Sequence, residues 1–587
     1  MAKAIGIDLG TTNSCAAVFL DGKPQVITFR DGARTIPSVF AIDKSGRAIV
    51  GKDAVDQAAD NPTNTVMASK RLLGRTFSGP AIDKMNQVFT YEFVEGASSE
   101  VLVKVSEQVF TLEQISAAIL GRIKEQAEEV LLDDVEEAVI TVPAYFNDRQ
   151  RQSVRTAAKM AGLKVLRVLN EPTAACLAYG LGRKLNQRVA IYDLGGGTFD
   201  ISIIDIKDRV FETIAIHGDP FLGGVDFDDR VMQWILKEFL EETKIDVSYD
   251  RSSVMRIREA AENAKIELST SLKTEIFLPN IGVDDSGKQL SLKMEFSRQK
   301  LEELTGDLVD RSIVNSERTF VEADITRDQI DEILLVGGQS RMPLVRAKVQ
   351  QFLGMAPSQK INPDEAVAIG ASIMANTLAS QTDGKSRITL MDVLPMAIGI
   401  KKPDGTMHVL FAKNQPLPDY KTRILTSSKD SQRSFLLRIY QGESDRAEAN
   451  ELLGMFVFAG LPPGPAGSAK IEVTFHIDSE GILNLSGRDT KTGELVESRM
   501  KLNKPQGKRK VRKIRKKKPV KAPPEIPTLP VLSSPSLSPL NVPKTSLKPS
   551  NGEIPPPTED EQPLQPKTQS SLGCLIALFW SIFYRSP

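Results

Sequence analysis

Two segments of this chain share one short pattern, in which an apolar strand leads to Asp, Leu, glycine and then a hydroxyl residue. They are residues 6–14 (GIDLGTTNS) and residues 192–200 (YDLGGGTFD). An Asp that leaves a strand can hold a divalent cation through its waters, as Mg²⁺ prefers. Glycines let backbone N–H groups approach phosphate oxygens, and Thr hydroxyls complete the cradle. The pair therefore predicts a duplicated α/β core that closes over a nucleotide.

The rest of residues 1–385 supports this interpretation, because strand-like and helix-like segments alternate there. The pattern predicts a helix with Asn147 as its N-cap, and the predicted strands and helix cover residues 4–9, 137–142, 188–194 and 148–161. The chain has neither the G-x-x-x-x-G-K-[ST] motif of P-loop proteins nor the G-x-G-x-x-G motif of Rossmann folds. An actin-like ATPase arrangement remains.

Composition excludes several other classes of protein. Hydrophobic residues make up 41% of the 587 positions and charged residues 26%, which is enough to bury a core. The three cysteines are far apart, which excludes a disulfide scaffold or a four-cysteine zinc site, and we expect Cys15 and Cys176 to be small buried residues. Only three histidines are present, which disfavours a histidine-rich metal site. The N-terminus has no signal-peptide pattern, which predicts a cytoplasmic start.

The sequence changes character several times along the chain. Residues 395–503 form short alternating runs broken by Gly, Pro and Asp, as in a compact antiparallel β domain. Residues 519–570 contain 14 prolines and predict a disordered tether. The predicted parts are an ATPase domain, a linker, a β-sandwich domain, a polybasic segment, a Pro-rich tether and an apolar segment, over residues 1–385, 386–394, 395–503, 504–518, 519–570 and 571–587.

Charge is unevenly distributed, although the net charge is zero. Residues 504–518 carry ten of the 75 Lys and Arg residues and no acid, so 65 basic residues remain against 75 acidic ones. The rest of the chain therefore has a net charge of −10. An acidic body argues against general nucleic-acid binding by the core.

Five further motifs, in this order, identify a family. They are KRLLGR, TVPAYFND, NEPTAA, LVGGQSRMP and NPDEAV, at residues 70–75, 141–148, 170–175, 335–343 and 362–367. Together with the two repeats they closely resemble the DnaK-type, seventy-kilodalton heat-shock chaperones over residues 1 to about 503. The resemblance implies an actin-like, duplicated ribonuclease-H-like ATPase domain followed by a peptide-binding β sandwich.

The resemblance also implies an ATPase site that uses ATP and Mg²⁺, with K⁺ as a further possible ion. Lys70 matches the lysine that stabilises the charge developing on the γ-phosphate, and Thr198 is a further catalytic candidate. The carboxylates that match positions around the metal and the attacking water are Asp8, Glu171, Asp193 and Asp200. The residues that match the phosphate cradle and the adenosine pocket are Gly10, Thr11, Thr12, Asn13, Gly195, Gly196, Gly197, Glu262, Lys265, Ser269, Gly337, Gly338, Arg341 and Asp364.

One residue near this site departs from the family pattern. Val225 stands in residues 223–228 (GGVDFD), where the family usually has an acidic residue. This change could alter nucleotide affinity or hydrolysis, but it leaves the catalytic candidates intact.

The family further implies partners and a relay between domains. Pro143, Arg151 and Asp392 match positions that carry the nucleotide state towards the client domain. Arg167 and Asn170, with Asp392, match the contact for a J-domain co-chaperone. The expected partners are thus unfolded or apolar client peptides, a J-domain protein and a nucleotide-exchange factor.

The client pocket departs from the family at its centre. A count without gaps from Asp392 places Ile400, Phe435 and Leu437 in the pocket that would hold one apolar client side chain. Phe435 stands where the family normally has Val. Because a packed cavity tolerates little extra volume, we expect altered and weaker peptide binding.

The C-terminal part replaces the family's helical lid, so we expect faster client exchange. Residues 572–584 are apolar but, at roughly 20 Å as a helix, too short to cross a hydrocarbon core of about 30 Å. They could lie at a membrane surface, with residues 504–518 attracting anionic lipids. They could instead occupy the chain's own client groove as a pseudosubstrate, or dock on a partner.

Two functions follow from these predictions. The first is an ATP-dependent chaperone that binds exposed apolar peptide segments, assists folding and the stress response, and switches client affinity through ATP binding and hydrolysis. The second is an ATPase-switch scaffold with weak or no client binding, recruited to a membrane by its C-terminal tail. The predicted location is cytoplasmic, possibly peripheral to a membrane.

Overall fold

The computed structural model describes residues 3–77, 80–183, 185–380, 388–496 and 498–501. These residues all belong to one compact unit, Met1–Ile526. The predicted polybasic segment, Pro-rich tether and apolar segment (504–518, 519–570 and 571–587) lie outside the described residues, and their predicted roles stay predictions.

The first repeat begins a lobe built on a mixed six-stranded sheet. The strands of this lobe are β1 (Lys3–Asp8), β2 (Asn13–Leu20), β3 (Lys23–Val26), β4 (Thr35–Pro37), β5 (Phe40–Ile42), β6 (Ala48–Val50), β7 (Thr65–Val66), β8 (Glu92–Glu95), β9 (Val101–Val105), β10 (Gln108–Thr111), β11 (Val135–Val142) and β12 (Lys164–Asn170). β1 pairs antiparallel with β2 and parallel with β11. The tight turn between β1 and β2 therefore carries the first glycine motif.

The second repeat begins a lobe with the same pattern of pairing. Its strands are β13 (Asn186–Leu194), β14 (Phe199–Lys207), β15 (Val210–Asp219), β16 (Lys273–Val283), β17 (Gln289–Ser297) and β18 (Glu332–Val336). β13 pairs antiparallel with β14 and parallel with β18, as β1 does with β2 and β11. This correspondence confirms the duplicated α/β core that the two motifs predict.

Helices cover both sheets, and several begin at clear capping residues. They are α1 (Lys52–Asp56), α2 (Pro80–Val88), α3 (Leu112–Leu131), α4 (Asp148–Met160), α5 (Glu171–Gly180), α6 (Gly224–Thr243), α7 (Arg251–Glu267), α8 (Arg298–Glu322), α9 (Pro343–Leu353) and α10 (Ala366–Ala379). The Asn147 side chain accepts a hydrogen bond from the Gln150 N–H, which confirms the predicted N-cap of α4. Among the described residues, no helix is long and apolar enough to cross a membrane.

The two lobes join where α5 and α10 pack between their sheets. A Cβ on Gly370 of α10 would lie 1.7 Å from the Ala174 carbonyl oxygen, and one on Gly6 of β1 would lie 2.1 Å from the Ser372 nitrogen. Glycine is required at both positions because the backbones approach so closely. The base of the cleft between the lobes is therefore tightly packed.

The linker and the β domain complete the described chain. Linker strand β19 (Thr389–Met391) adds in parallel to the outer edge of the second lobe at β15. The sandwich strands are β20 (Ile398–Lys401), β21 (Met407–Phe411), β22 (Asp419–Thr426), β23 (Ser434–Gln441), β24 (Glu451–Ala459), β25 (Lys470–Ile477), β26 (Leu483–Asp489), β27 (Leu495–Val496) and β28 (Ser498–Lys501). They form sheets in the orders β21-β20-β23-β24-β28 and β22-β25-β26-β27. Alternate residues of β25, such as Val473 and Phe475, are fully buried between them.

Candidate functional site

A cavity of about 640 Å³ lies between the two lobes, with the two glycine motifs on its walls. The motifs approach each other so closely that side chains are excluded. A Cβ on Gly196 would lie 2.1 Å from the Thr12 hydroxyl oxygen, and one on Gly197 would lie 2.5 Å from the Thr11 methyl carbon. Backbone N–H groups and Thr hydroxyls therefore meet at one end of the cavity, as a phosphate cradle requires.

Four carboxylates gather beside this cradle because each lies at or near the end of an element. Asp8 ends β1, Asp193 and Asp200 lie near the turn between β13 and β14, and Glu171 begins α5. Burial, together with the charge of Glu171, raises the pKa of Asp8 to about 7 and that of Asp200 to about 8, and the same two causes raise the pKa of Asp193 well above its usual range. These carboxyl groups therefore cannot all ionise at neutral pH unless a cation offsets their charge.

Lys70 supplies one cation from the first lobe. It lies in a 3₁₀ helix (Ser69–Arg71), and its Nζ donates to Glu171 Oε1 at 2.6 Å. Both side chains are buried, with 5% of Lys70 and 8% of Glu171 exposed. The ammonium also lies 5.7 Å from the centre of the Phe146 ring.

The same carboxylates fit a divalent cation held through water. Asp200 Oδ2 is buried with no hydrogen-bond partner among the described residues, so one strong acceptor is unsatisfied. The described residues contain no group of three His, Cys, Asp or Glu side chains placed to ligate a metal directly. Carboxylate oxygens are donors that Mg²⁺ can hold through its waters, and the Mg²⁺ site stays a prediction.

The rest of the cavity is lined by α7 and by the loops after β18. Glu262, Lys265 and Ser269 come from the α7 side, and Gly337, Gly338, Arg341 and Asp364 come from the loops. Lys265 Nζ lies 2.8 Å from Asp228 Oδ1, and Arg341 Nη2 donates to Asp364 Oδ2 at 2.6 Å. The stacking of Arg341 on an adenine base stays a prediction.

The structure brings most of the predicted nucleotide-site residues to this one cavity. Of the predicted residues, only Gly197 and Asp200 do not line it; Gly197 lies against Thr11, and the charge of Asp200 helps to raise the pKa of Asp193. Cys15 lines the cavity but is 2% exposed, and Cys176 is fully buried. Burial raises the pKa of both thiols, which confirms the expectation that they are small buried residues.

The sequence did not predict one set of polar contacts between the lobes. Arg71 Nε donates to the Gly197 carbonyl at 2.9 Å, and its guanidinium forms an ion pair with Asp226. The Gly223 N–H donates to Asp226 Oδ2 at 2.9 Å, so this carboxylate also fixes the start of α6. Arg71 follows Lys70 in the KRLLGR motif, and Asp226 follows Val225 in the GGVDFD motif. Their positions inside these motifs were the only sign in the sequence that they could have a role. Val225 itself is half-buried, and its N–H donates to the Gly196 carbonyl at 2.8 Å.

The predicted relay residues lie where the first lobe meets the linker and the β domain. Arg151 Nη2 donates to Asn170 Oδ1 at 2.7 Å and to the carbonyl of Ala144, which follows Pro143, at 3.1 Å. Asp392 Oδ1 accepts hydrogen bonds from the hydroxyls of Thr173 and Thr213 at 3.0 and 2.8 Å. The linker carboxylate is therefore held by both lobes.

The predicted J-domain residues lie at the same junction. Arg167 Nη2 donates to the Ser479 carbonyl of the β domain at 3.3 Å. Asn170 is only 4% exposed and Asp392 5% exposed. In this arrangement the two buried residues act within the chain, and their contact with a J-domain stays a prediction.

The predicted client-pocket residues lie in the core of the sandwich. Phe435 is 7% exposed and belongs to the buried cluster between the two sheets, opposite Phe458 in the β23–β24 pairing. Ile400 and Leu437 are half-buried and pack against that cluster. The aromatic ring therefore occupies interior volume in the cluster against which Ile400 and Leu437 pack.

A comparison with models of protein families gives one match. Residues 4–523 match the family described as "Hsp70 protein". The match spans both glycine motifs, the cavity between the lobes, the linker strand and the whole β sandwich.

Proposed function

Because the chain belongs to the Hsp70 family, we propose that it hydrolyses ATP in the cleft between its lobes and uses the cycle to bind and release apolar client segments. Members of this family are ATP-dependent chaperones with an actin-like ATPase domain and a β sandwich. The observation that carries the proposal is the convergence of two glycine motifs, three carboxylates and Lys70 at one cavity, with Asp200 interacting electrostatically with Asp193. A phosphoryl-transfer site requires such a set of anion-binding backbone and cation-binding carboxylates.

Each predicted residue then has a role that its position supports. The glycine motifs would hold the phosphates, and the Thr198 hydroxyl, which belongs to the second motif, would contact them. Lys70 would stabilise charge on the γ-phosphate. Family members bind nucleotide with a divalent metal. We assign Mg²⁺ to Asp8, Glu171, Asp193 and Asp200, where it would neutralise phosphate charge when bound, and a K⁺ ion remains a possible addition. Glu171 can orient the attacking water once Lys70 turns towards the phosphate.

Coupling to the client domain would pass through the junction around α4 and the linker. The Asp148 N–H donates to Gln441 Oε1 at 3.2 Å, the Leu483 N–H donates to Asp148 Oδ1 at 2.7 Å, and Arg155 pairs with Glu480. Pro143, Arg151 and Asp392 lie in the same region. We propose that ATP binding favours this docked arrangement and that hydrolysis releases the β domain to close on a client.

The partners follow from the same assignment. Family members act on client peptides together with J-domain proteins and nucleotide-exchange factors. We propose that Arg167, with Asn170 and Asp392, forms the J-domain contact. A cytoplasmic location, with or without peripheral contact to a membrane, remains a proposal from the sequence.

A second candidate function rests on Phe435. Its ring is 7% exposed and packs in the sandwich core, where the family pocket would admit a client side chain. If the ring fills the pocket, the chain would keep the nucleotide-driven docking of its β domain but bind clients weakly. Such a protein would act as an ATPase-switch scaffold, recruited by its C-terminal segment.

One experiment separates these functions. The steady-state ATPase rate of the whole chain is measured alone, with a J-domain protein, and with a leucine-rich peptide added to both. Stimulation by the J-domain protein and peptide together supports the chaperone. Turnover that never responds to peptide supports the scaffold, and absence of any turnover contradicts both.

A further inference from the structure

Arg75 contacts both lobes of the ATPase domain. Its Nε donates to the Arg71 carbonyl at 2.9 Å, within the turn that carries Lys70. Its guanidinium carbon lies 4.5 Å from the centre of the Phe221 ring, which belongs to the loop leading from β15 into α6. Phe221 in turn packs against the core of the first lobe. Arg75 thus links the turn beside the cavity to the other lobe.

A carboxylate of the β domain lies at the same junction, because residues next to it and next to Arg75 both contact the start of α4. Glu451 is the first residue of β24 and pairs with Gln441, which accepts the hydrogen bond from the Asp148 N–H. Glu451 Oε1 is buried with no hydrogen-bond partner among the described residues. Partial burial lowers the pKa of Arg75, and the charge of Glu451 opposes that effect. A buried carboxylate oxygen and a partly buried cation therefore lie within electrostatic range across the domain junction.

Tight packing joins the same two regions. Gly74 has a φ of +71°, and a Cβ on it would lie 2.8 Å from Gln150 Cα at the start of α4. Gln150 belongs to the cap of α4, two positions after Asp148, which contacts the β domain. The turn of residues 71–75 therefore cannot shift without disturbing the part of α4 on which the β domain docks.

We propose that Glu451 and Arg75 form an electrostatic contact that couples docking of the β domain to the turn that positions Lys70 and Arg71. This inference rests on the proposed ATPase function. Arg75 is a positioning residue, because it acts through the Arg71 carbonyl and through Phe221. When the β domain leaves, Arg75 loses its carboxylate and turns towards water, and the turn loosens. Lys70 then separates more easily from Glu171, with which it is paired in the docked arrangement.

The test compares Glu451→Gln with Glu472→Gln in the full chain. Glu472 is an exposed glutamate of β25 in the same domain, which makes it a matched control. Docking is measured with ATP present as hydrogen exchange of linker strand β19, whose Thr389 N–H donates to the Arg209 carbonyl at 3.0 Å. We expect exchange in β19 to become about five- to tenfold faster in Glu451→Gln and to stay unchanged in Glu472→Gln.

The ATPase rate is a second measurement, which would not change if Glu451 only stabilised the β domain. We expect kcat of Glu451→Gln to rise about two- to fivefold with KM for ATP unchanged, because Glu451 is remote from the cavity. Glu451→Asp should restore the wild-type values. In an Arg75→Gln background, Glu451→Gln should add no further effect, because its partner is already absent.

Each alternative result overturns the inference. Equal exchange and kcat in Glu451→Gln and Glu472→Gln would do so, as would additive effects of Arg75→Gln and Glu451→Gln. If Glu451→Gln does not fold, the test compares hydrogen exchange of β19 in Arg75→Lys and in Arg75→Gln. Faster exchange in Arg75→Gln, with wild-type exchange in Arg75→Lys, would then support the inference. If both keep wild-type protection, the inference fails. Failure of the proposed function is separate, because the wild-type chain would then hydrolyse no ATP.

Discussion

The predicted nucleotide cleft and the predicted client pocket place their central side chains very differently. In the cleft, Lys70, Glu171, Asp8 and Asp193 line a cavity of about 640 Å³. In the sandwich, the central pocket residue Phe435 is packed among buried apolar side chains. The first site keeps the family's residue types, whereas the second has a larger residue at its centre.

The two sites differ because different forces maintain them. In the cleft, Gly196 and Gly197 admit no side chain, and Arg71 ties the second motif to the first lobe. A replacement there disturbs several interlocked contacts at once. The client pocket is continuous with the hydrophobic core, so a larger apolar residue can be accommodated by packing. The fold can therefore persist while the pocket loses its ligand, and the cleft has no such freedom.

The largest effect should come from removing Lys70, the cation beside the carboxylates of the cleft. We expect Lys70→Ala to lower kcat for ATP hydrolysis by about a hundredfold or more, because the neighbouring Arg71 is paired with Asp226 and cannot replace the charge of Lys70 at the phosphate. Single-turnover hydrolysis measured by phosphate release gives the rate. Lys164→Ala is the control, since Lys164 is an exposed lysine paired with Glu137. A decrease of less than tenfold would mean that Lys70 only balances the charge of Glu171.

The second largest effect should come from a substitution that opens the predicted client pocket. We expect Phe435→Val to strengthen binding of a labelled leucine-rich peptide by about tenfold, because it vacates volume in the cluster against which Ile400 and Leu437 pack. The same change should lower the free energy of unfolding by about 1–3 kcal/mol. Fluorescence anisotropy gives the affinity, and thermal unfolding gives the stability.

The control for this prediction is another phenylalanine of the same core. Phe456 of β24 packs at the edge of the cluster opposite Leu437, outside the predicted pocket. Phe456→Val should lower stability without improving peptide affinity. If Phe435→Val also leaves peptide affinity unchanged, the ring does not block the pocket, and the scaffold function loses its main support.

The sequence predicts those features that depend on local chemistry. The glycine motifs, the cap at Asn147 and the alternation in β25 each need only a few neighbouring residues, and the structure contains all of them. The similarity of the two motifs predicts the duplicated sheets, because each motif forms the turn between the first two strands of its lobe.

Features that join distant segments could not be predicted in this way. Arg71 and Asp226 are 155 positions apart, and neither has a neighbour that specifies the other. The linker becomes strand β19 only because the edge of β15 is available beside it. The approach of Glu451 to Arg75 depends on how the β domain docks, which no local pattern encodes.

The smallest expected effect lies at the junction between the two regions and depends on pH. Burial raises the pKa of Asp148 from 3.8 to about 6 in the docked arrangement; nearby, Asp478 acts in the same direction and Arg151 opposes it. In the undocked chain the carboxyl is free of the β domain, so its pKa lies nearer the ordinary value. The docked form therefore binds the proton more tightly, and docking strengthens as pH falls through 6.

From these two pKa values we expect the docking equilibrium to increase about fourfold between pH 7.5 and pH 5.5. Exchange protection of β19, corrected for the intrinsic effect of pH on amide exchange, gives the measurement. Asp148→Asn should remove most of this increase, because an amide does not titrate and can still accept from the Leu483 N–H. Asp478→Asn should leave most of the increase in place. An equal dependence on pH in the wild-type chain and in Asp148→Asn would mean that other groups at the junction control docking, so that the cleft and the client core are coupled elsewhere.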